Sequence, residues 1–123
     1  MRRLIDGAME NRSVKDVFLF RVACAECGRE YGNKPVRFSK ADQPVSEQEK
    51  AICDALYKAD MQAARETAVH SAVGQLNYCT VCGRLVCDQC FMICEDSDMC
   101  RSCAAKLREQ GRPVVPKLFG ILP

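Results

Sequence analysis

Eight of the ten cysteines in this chain fall into four Cys-x-x-Cys pairs. Residues 79 to 103 hold three of them: Cys79 with Cys82, Cys87 with Cys90 and, after nine further residues, Cys100 with Cys103. The fourth, Cys24 with Cys27, stands far upstream. Two thiols at this spacing can reach one soft divalent ion, and four pairs supply the eight thiolates that two tetrahedral four-cysteine sites require. The spacing therefore predicts two bound Zn2+ ions. Four-thiolate knuckles also suit iron, but zinc is the expected metal. With four protein ligands per ion no coordination position stays open to water or substrate, so the sites are expected to be structural.

The rest of the composition fits a chain that leans on metal. At 123 residues it has the length of one ordinary domain. There is no tryptophan, and the 48% hydrophobic fraction is inflated by cysteine, so a thin core is expected, with metal binding supplying much of the folding energy. No apolar run approaches a membrane span, and the N-terminal residues have basic groups without the apolar stretch of a signal peptide. A cytosolic location is expected, where disulfides are disfavoured and clustered cysteine pairs more often bind metal. Metal also changes the charge. The formal +2 of the side chains, less eight for ionised cysteines and plus four for two zinc ions, leaves −2. Such a balance argues against a generic electrostatic grip on nucleic acid.

Along the chain, residues 1–13 read as a flexible lead-in that is at most a short helix. A two-zinc domain is expected over 14–111, with a helical insertion at about 46–73, followed by a Pro-rich tail, 112–123. The apolar run Val17 to Ala23 reads as one strand leading into Cys24. Cys24 to Gly28 is a knuckle, and the segment from Arg29 to Phe38 reads as a hairpin turning at Gly32 and Asn33. Ser46 with Glu49 predicts a capping box for a helix that runs to about Val73 before Gly74. Ile52, Leu56, Ala59, Ala63 and Thr67, flanked by Ala55, Ala64 and Ala68, form a stripe on one side of that helix, which is expected to pack on the rest of the domain; the alternative is a partner-binding face. A second Gly-terminated knuckle runs from Cys79 to Gly83. Cys87/Cys90 and Cys100/Cys103 lack that glycine and read as helix starts, where the dipole favours thiolates.

Three pairings of the four pairs are conceivable. Joining Cys79/Cys82 to Cys87/Cys90 leaves only four intervening residues and is the weakest. Loop length leaves open a consecutive arrangement, knuckle with knuckle and helix start with helix start, and an interleaved one.

The run Cys79-x-x-Cys-Gly-x-x-x-Cys-x-x-Cys90, with an earlier Cys-x-x-Cys-Gly and a later Cys-x-x-Cys before a helix, resembles the FYVE-type cross-brace zinc finger of the treble-clef group. The resemblance covers ligand order over residues 22 to 110, with 51 residues between Cys27 and Cys79 where that family has far fewer. It implies an α+β, treble-clef-like fold and the interleaved pairing: Cys24, Cys27, Cys87 and Cys90 on one zinc, Cys79, Cys82, Cys100 and Cys103 on the other. The family's phosphoinositide-reading motifs have no counterpart here. There is no tryptophan for a Trp-x-x-Asp motif, Thr80 follows Cys79 where a basic run would stand, and Asp98-Met99 precedes Cys100.

Cys53 and Cys94 lie outside the pairs and are expected to be a small buried residue and a spare thiol. His70, the single histidine, falls near a helix C-terminus and would have to displace a cysteine to ligate zinc. Arg101, Lys106, Arg108 and Arg112 read as a solvated basic face. No nucleophile–base pair, phosphate loop or metalloprotease motif is present, so the chain is expected not to be an enzyme. The expected role is a non-catalytic module that binds protein partners. A nucleic-acid-binding finger and a thiol-based redox sensor are the alternatives.

Overall fold

The apolar run 17–23 forms two strands, with a break at Leu19. The structure, a computed structural model, describes residues 1–41, 43, 46–94 and 97–115. In it β1 (Glu10–Asn11) and β2 (Val17–Phe18) precede β3 (Phe20–Ala23), and β2 and β3 join different sheets. The cause is local polar chemistry. The Leu19 N–H donates to the Ser13 hydroxyl (3.0 Å) and its carbonyl accepts from the Arg12 N–H (2.8 Å), so both backbone groups are satisfied outside a ladder. Asn33 locks the break from the other side. It is only 3% exposed, its Oδ1 accepts from the Phe20 N–H (2.8 Å), and its amide donates to the carbonyls of Phe18 (3.1 Å) and Lys34 (2.8 Å).

Asn33 also overturns the expected hairpin. A tight turn would carry its side chain at the surface, whereas here it is held between Phe18 and Phe20. β4 (Glu30–Gly32) therefore joins the sheet β1-β3-β4, while β5 (Val36–Arg37) pairs antiparallel with β2, Phe18 opposite Val36. Asn33→Ala is expected to lower stability by about 2–3 kcal/mol, because it strips partners from a buried N–H and a buried C=O. A urea midpoint compared with wild type checks this.

Two compact units make up the chain: Met1–Val22 with Glu30–Gly74, and Ala23–Arg29 with Gln75–Pro123. The first holds α1 (Arg2–Ala8), within the stretch read as a flexible lead-in, and its Ile5 is fully buried. Arg65 of α2 (Lys50–Val73) ties that helix down, donating to the Asp6 carboxylate (2.9 Å) and the Asp6 carbonyl (2.8 Å). Arg2 likewise pairs with Glu66.

α2 ends where expected, with Gly74 as its C-cap, but starts four residues after Ser46. The Ser46 hydroxyl accepts from the Glu49 N–H (3.3 Å), and that contact belongs to a turn ahead of the helix. The buried side of α2 matches the expected stripe only at its flanking Ala64 and Ala68. Ala64, Ala68, Val69 and Ala72 are buried, and Tyr57 packs edge-on against Phe18 (5.0 Å) and Phe38 (5.1 Å). One residue is a turn of about 100° on a helix. Anchoring α2 through Tyr57 thus rotates Ile52, 64% exposed, and Leu56, 38% exposed, toward solvent.

The second unit consists of short antiparallel pairs and one helix. β6 (Leu76–Tyr78) pairs with β7 (Leu85–Cys87), Leu76 opposite Cys87, so that the second knuckle is the loop of this hairpin. A 3-10 turn, Asp88–Cys90, leads to β8 (Phe91–Met92), which pairs with β9 (Met99–Cys100). α3 (Arg101–Glu109) follows directly. Apart from cysteines, the buried apolar residues among those described in this unit are Leu76, Leu85, Val86, Met99 and Ala104, a sparse core for two hairpins and a helix. The architecture is mixed: helices with several small sheets, in line with the α+β expectation. Residues 116–123 of the Pro-rich tail lie outside the described residues.

Candidate metal centres

Two loops of nearly identical geometry present the first ligand pairs. In the first, the Cys24 N–H donates to the Arg29 carbonyl (2.8 Å) and the Gly28 N–H to the Cys24 carbonyl (2.9 Å); in the second, Cys79 donates to Arg84 (2.9 Å) and Gly83 to Cys79 (2.8 Å). Both turns close through a left-handed glycine, Gly28 at φ 78° and Gly83 at φ 77°, where a side chain would be strained. This explains why each knuckle reads Cys-x-x-Cys-Gly. The fold aims backbone donors at the leading sulfur. Cys24 Sγ accepts from the N–H groups of Glu26 (3.4 Å), Cys27 (3.5 Å) and Cys87 (3.2 Å), and Cys79 Sγ from that of Cys100 (3.2 Å).

The second pairs sit at helix starts, as their sequence context suggests. Cys87 is the N-cap of the 3-10 turn and Cys100 the N-cap of α3, both in extended conformation. Each N-cap residue thus points its own N–H at the leading sulfur of a knuckle, the contact that brings a helix-start pair to a knuckle pair.

The result is two groups of four sulfurs, Cys24/Cys27/Cys87/Cys90 and Cys79/Cys82/Cys100/Cys103, in each of which the Sγ atoms all lie within 4.8 Å of one another. Cys27 to Cys87 is 3.7 Å, Cys79 to Cys103 3.8 Å and Cys82 to Cys100 3.8 Å. A tetrahedron with metal–sulfur bonds of about 2.3 Å has edges of roughly 3.8 Å. The tetrads fit a four-coordinate soft metal ion, and the grouping is the interleaved one. In both sets the second knuckle cysteine, Cys27 or Cys82, is exposed and the other three are buried. None of the ten cysteines is in a disulfide.

The thiols of each tetrad differ in acidity. Burial pushes Cys24 and Cys79 up, but the backbone N–H groups aimed at their sulfurs outweigh it and hold both below the ordinary thiol range. Burial likewise opposes ionisation of Cys82, yet the Arg84 side chain and N–H bring it down to about 6. Cys90 goes the other way: burial and its neighbouring cysteines push it up to about 12, and Cys103 is raised for the same reasons. At neutral pH each metal-free tetrad thus keeps at least one protonated thiol, Cys90 in one and Cys103 in the other, while Cys82 is ionised. A metal ion must expel that proton, so acidification favours the metal-free form. Affinity measured by competition with a chromophoric chelator is expected to fall at least about tenfold for each unit of pH lowered between about pH 8 and pH 6.

Three residues absent from the sequence reading complete the surroundings. Arg84 donates through Nε to Cys82 Sγ (3.3 Å) and through Nη2 to Cys100 Sγ (3.5 Å) and Glu26 (2.7 Å), and the Ser102 hydroxyl also donates to Glu26. Ser102 and Arg84 hold the Glu26 carboxyl below its usual range. The available signal was the shared Cys-x-x-Cys-Gly-Arg of the two knuckles, which sets Arg84 beside the second pair. Cys53, half-buried on α2, and His70, exposed in its last turn, join neither tetrad. Cys94 is buried outside them, its N–H donating to the Asp98 carboxylate (3.1 Å). Arg101, Lys106, Arg108 and Arg112 are exposed, as a solvated face requires. Among the described residues, no helix is long and apolar enough to cross a membrane. No family model, curated protein or solved structure matches the chain.

Proposed function

We propose that this chain is a non-catalytic, treble-clef-like module in which two zinc ions, each held by four thiolates in a FYVE-type interleaved order, fix a surface for protein partners. The observation that carries the reading is the pair of sulfur tetrads at tetrahedral separations. Filling both with thiolate closes the coordination sphere, so the ions stabilise the fold and leave no position for substrate. Zinc is the proposed metal; four-thiolate sites also accept iron, and elemental analysis separates the two.

A protein partner is favoured over nucleic acid by charge and by surface. Metallation lowers the net charge to −2, and α2 turns Ile52 and Leu56 outward, side chains that suit an apolar contact better than a phosphate backbone.

Native mass spectrometry with elemental analysis, on protein purified without added metal, tests the reading. Two zinc ions per chain support it. One ion or none, with oxidisable thiols left over, overturns it in favour of the redox sensor. DNA or RNA retention that weakens steeply with salt would overturn the protein-partner part alone.

A further inference from the structure

The two tetrads differ in how their ligands are spread along the chain. Seventeen residues separate Cys82 from Cys100, whereas 59 separate Cys27 from Cys87. Closing the longer loop removes more chain entropy, so the Cys79/Cys82/Cys100/Cys103 site is the easier to assemble from a metal-free chain.

Their surroundings differ as well. Arg84 sets one guanidinium against a sulfur from each pair of that site, Cys82 at 3.3 Å and Cys100 at 3.5 Å. Four thiolates around a divalent ion leave excess negative charge, and a cation donating to two of them offsets part of it. Arg29, in the matching place after the first knuckle, is exposed.

Arg84 also reaches the other site. It donates to the Ala25 carbonyl (3.3 Å) and to the Glu26 carboxylate (2.7 Å), and Ser102 donates to the second oxygen of the same carboxylate. Ala25 and Glu26 are the two residues between Cys24 and Cys27; Ser102 lies between Cys100 and Cys103. A single carboxylate on the first knuckle is thus gripped by one residue next to each ligand pair of the second site. That grip exists only when Arg84 and Ser102 are in register, which a metal ion on Cys79, Cys82, Cys100 and Cys103 enforces.

We propose that the two sites fill in order, Cys79/Cys82/Cys100/Cys103 first, and that Glu26 is the positioning residue that then sets the Cys24/Cys27 knuckle for the second ion. This inference rests on the two-zinc reading above. The test is stepwise titration of the full-length reduced apoprotein with zinc alone, with free thiols alkylated at each step and mapped by peptide mass spectrometry. At one equivalent, Cys79, Cys82, Cys100 and Cys103 are protected while Cys24, Cys27, Cys87 and Cys90 are alkylated. In Glu26→Gln, which keeps the shape and removes the charge, the first four are protected at unchanged free zinc. The other four then need about tenfold more zinc, and both ions bind at saturation. Arg84→Gln weakens both sites, and Arg84→Lys, which keeps the charge without the fork, restores only the first.

Parallel protection of the two sets at one equivalent, prior protection of the Cys24 set, or a Glu26→Gln profile identical to wild type overturns the ordered scheme and leaves the two-zinc reading standing. Zinc that protects neither set overturns both.

Discussion

Stripping metal from the reduced protein with a high-affinity chelator is expected to unfold the second unit. Among its described residues the buried ones are largely cysteine, with Leu76, Leu85, Val86, Met99 and Ala104 as the remaining apolar contribution. Without metal the four sulfurs of each tetrad, three of them buried, have nothing to hold them together, and among the described residues little apolar burial stands against the chain entropy of two hairpins and α3. Structural zinc in zinc-finger peptides contributes an apparent free energy of about 10–16 kcal/mol at neutral pH, a scale that the few buried apolar residues among those described do not replace. Amide hydrogen exchange reads the outcome: protection over 76–78, 85–87 and 99–109 should be lost on chelation and regained on adding zinc. Retained protection there would show that the apolar core suffices, and the metal would lose its structural role. A single replacement reports one site at a time. Cys100→Ser removes a fully buried ligand whose N–H also supports Cys79, and is expected to cost one bound zinc and most protection in α3.

What the sequence shows of this molecule depends on how local the determining interactions are. The ligands are legible because Cys-x-x-Cys-Gly closes its own turn: the carbonyl of Cys24 or Cys79 and the glycine N–H are four residues apart, and nothing distant is needed. Their grouping is less local. It rests on the N–H groups of Cys87 and Cys100 reaching Cys24 and Cys79, contacts that loop length alone left open between two arrangements. Arg84 and Glu26 escaped notice because they lie 58 positions apart, and neither spacing nor periodicity connects the two.

The first unit carries the same lesson in another form. The end of α2 was visible at Gly74, but its buried side only at the flanking Ala64 and Ala68, because Ile52 and Leu56 satisfy helical spacing as well as the alanines do. Hydrophobicity placed Ile52 and Leu56 on the packed side, whereas the flanking Ala64 and Ala68 are the residues of that stripe that are buried. The side that packs is chosen by Tyr57, whose ring has Phe18 and Phe38 to meet, and by alanines small enough to let α2 approach β4. A buried asparagine decides the strands in a similar way, since one side chain satisfies backbone groups on both sides of Leu19.

Phe18→Ala should accordingly be the most damaging apolar truncation in the first unit. Phe18 is completely buried, meets Tyr57 edge-on at 5.0 Å and Phe38 at 6.3 Å, and lies in the register that pairs β2 with β5. Removing the ring deletes both aromatic contacts and leaves a cavity between two strands and α2 that rigid neighbours fill only in part. A loss of about 3–5 kcal/mol is expected. Phe18→Leu retains much of the volume and should lose less, with the difference reporting the edge-on contacts. Denaturant midpoints for the two variants, followed by exchange protection across 61–73, make the comparison. Were Phe18→Ala to cost no more than an exposed truncation such as Ile52→Ala, the aromatic trio would not be what orients α2, and another anchor would have to explain why its Ile–Leu stripe faces solvent.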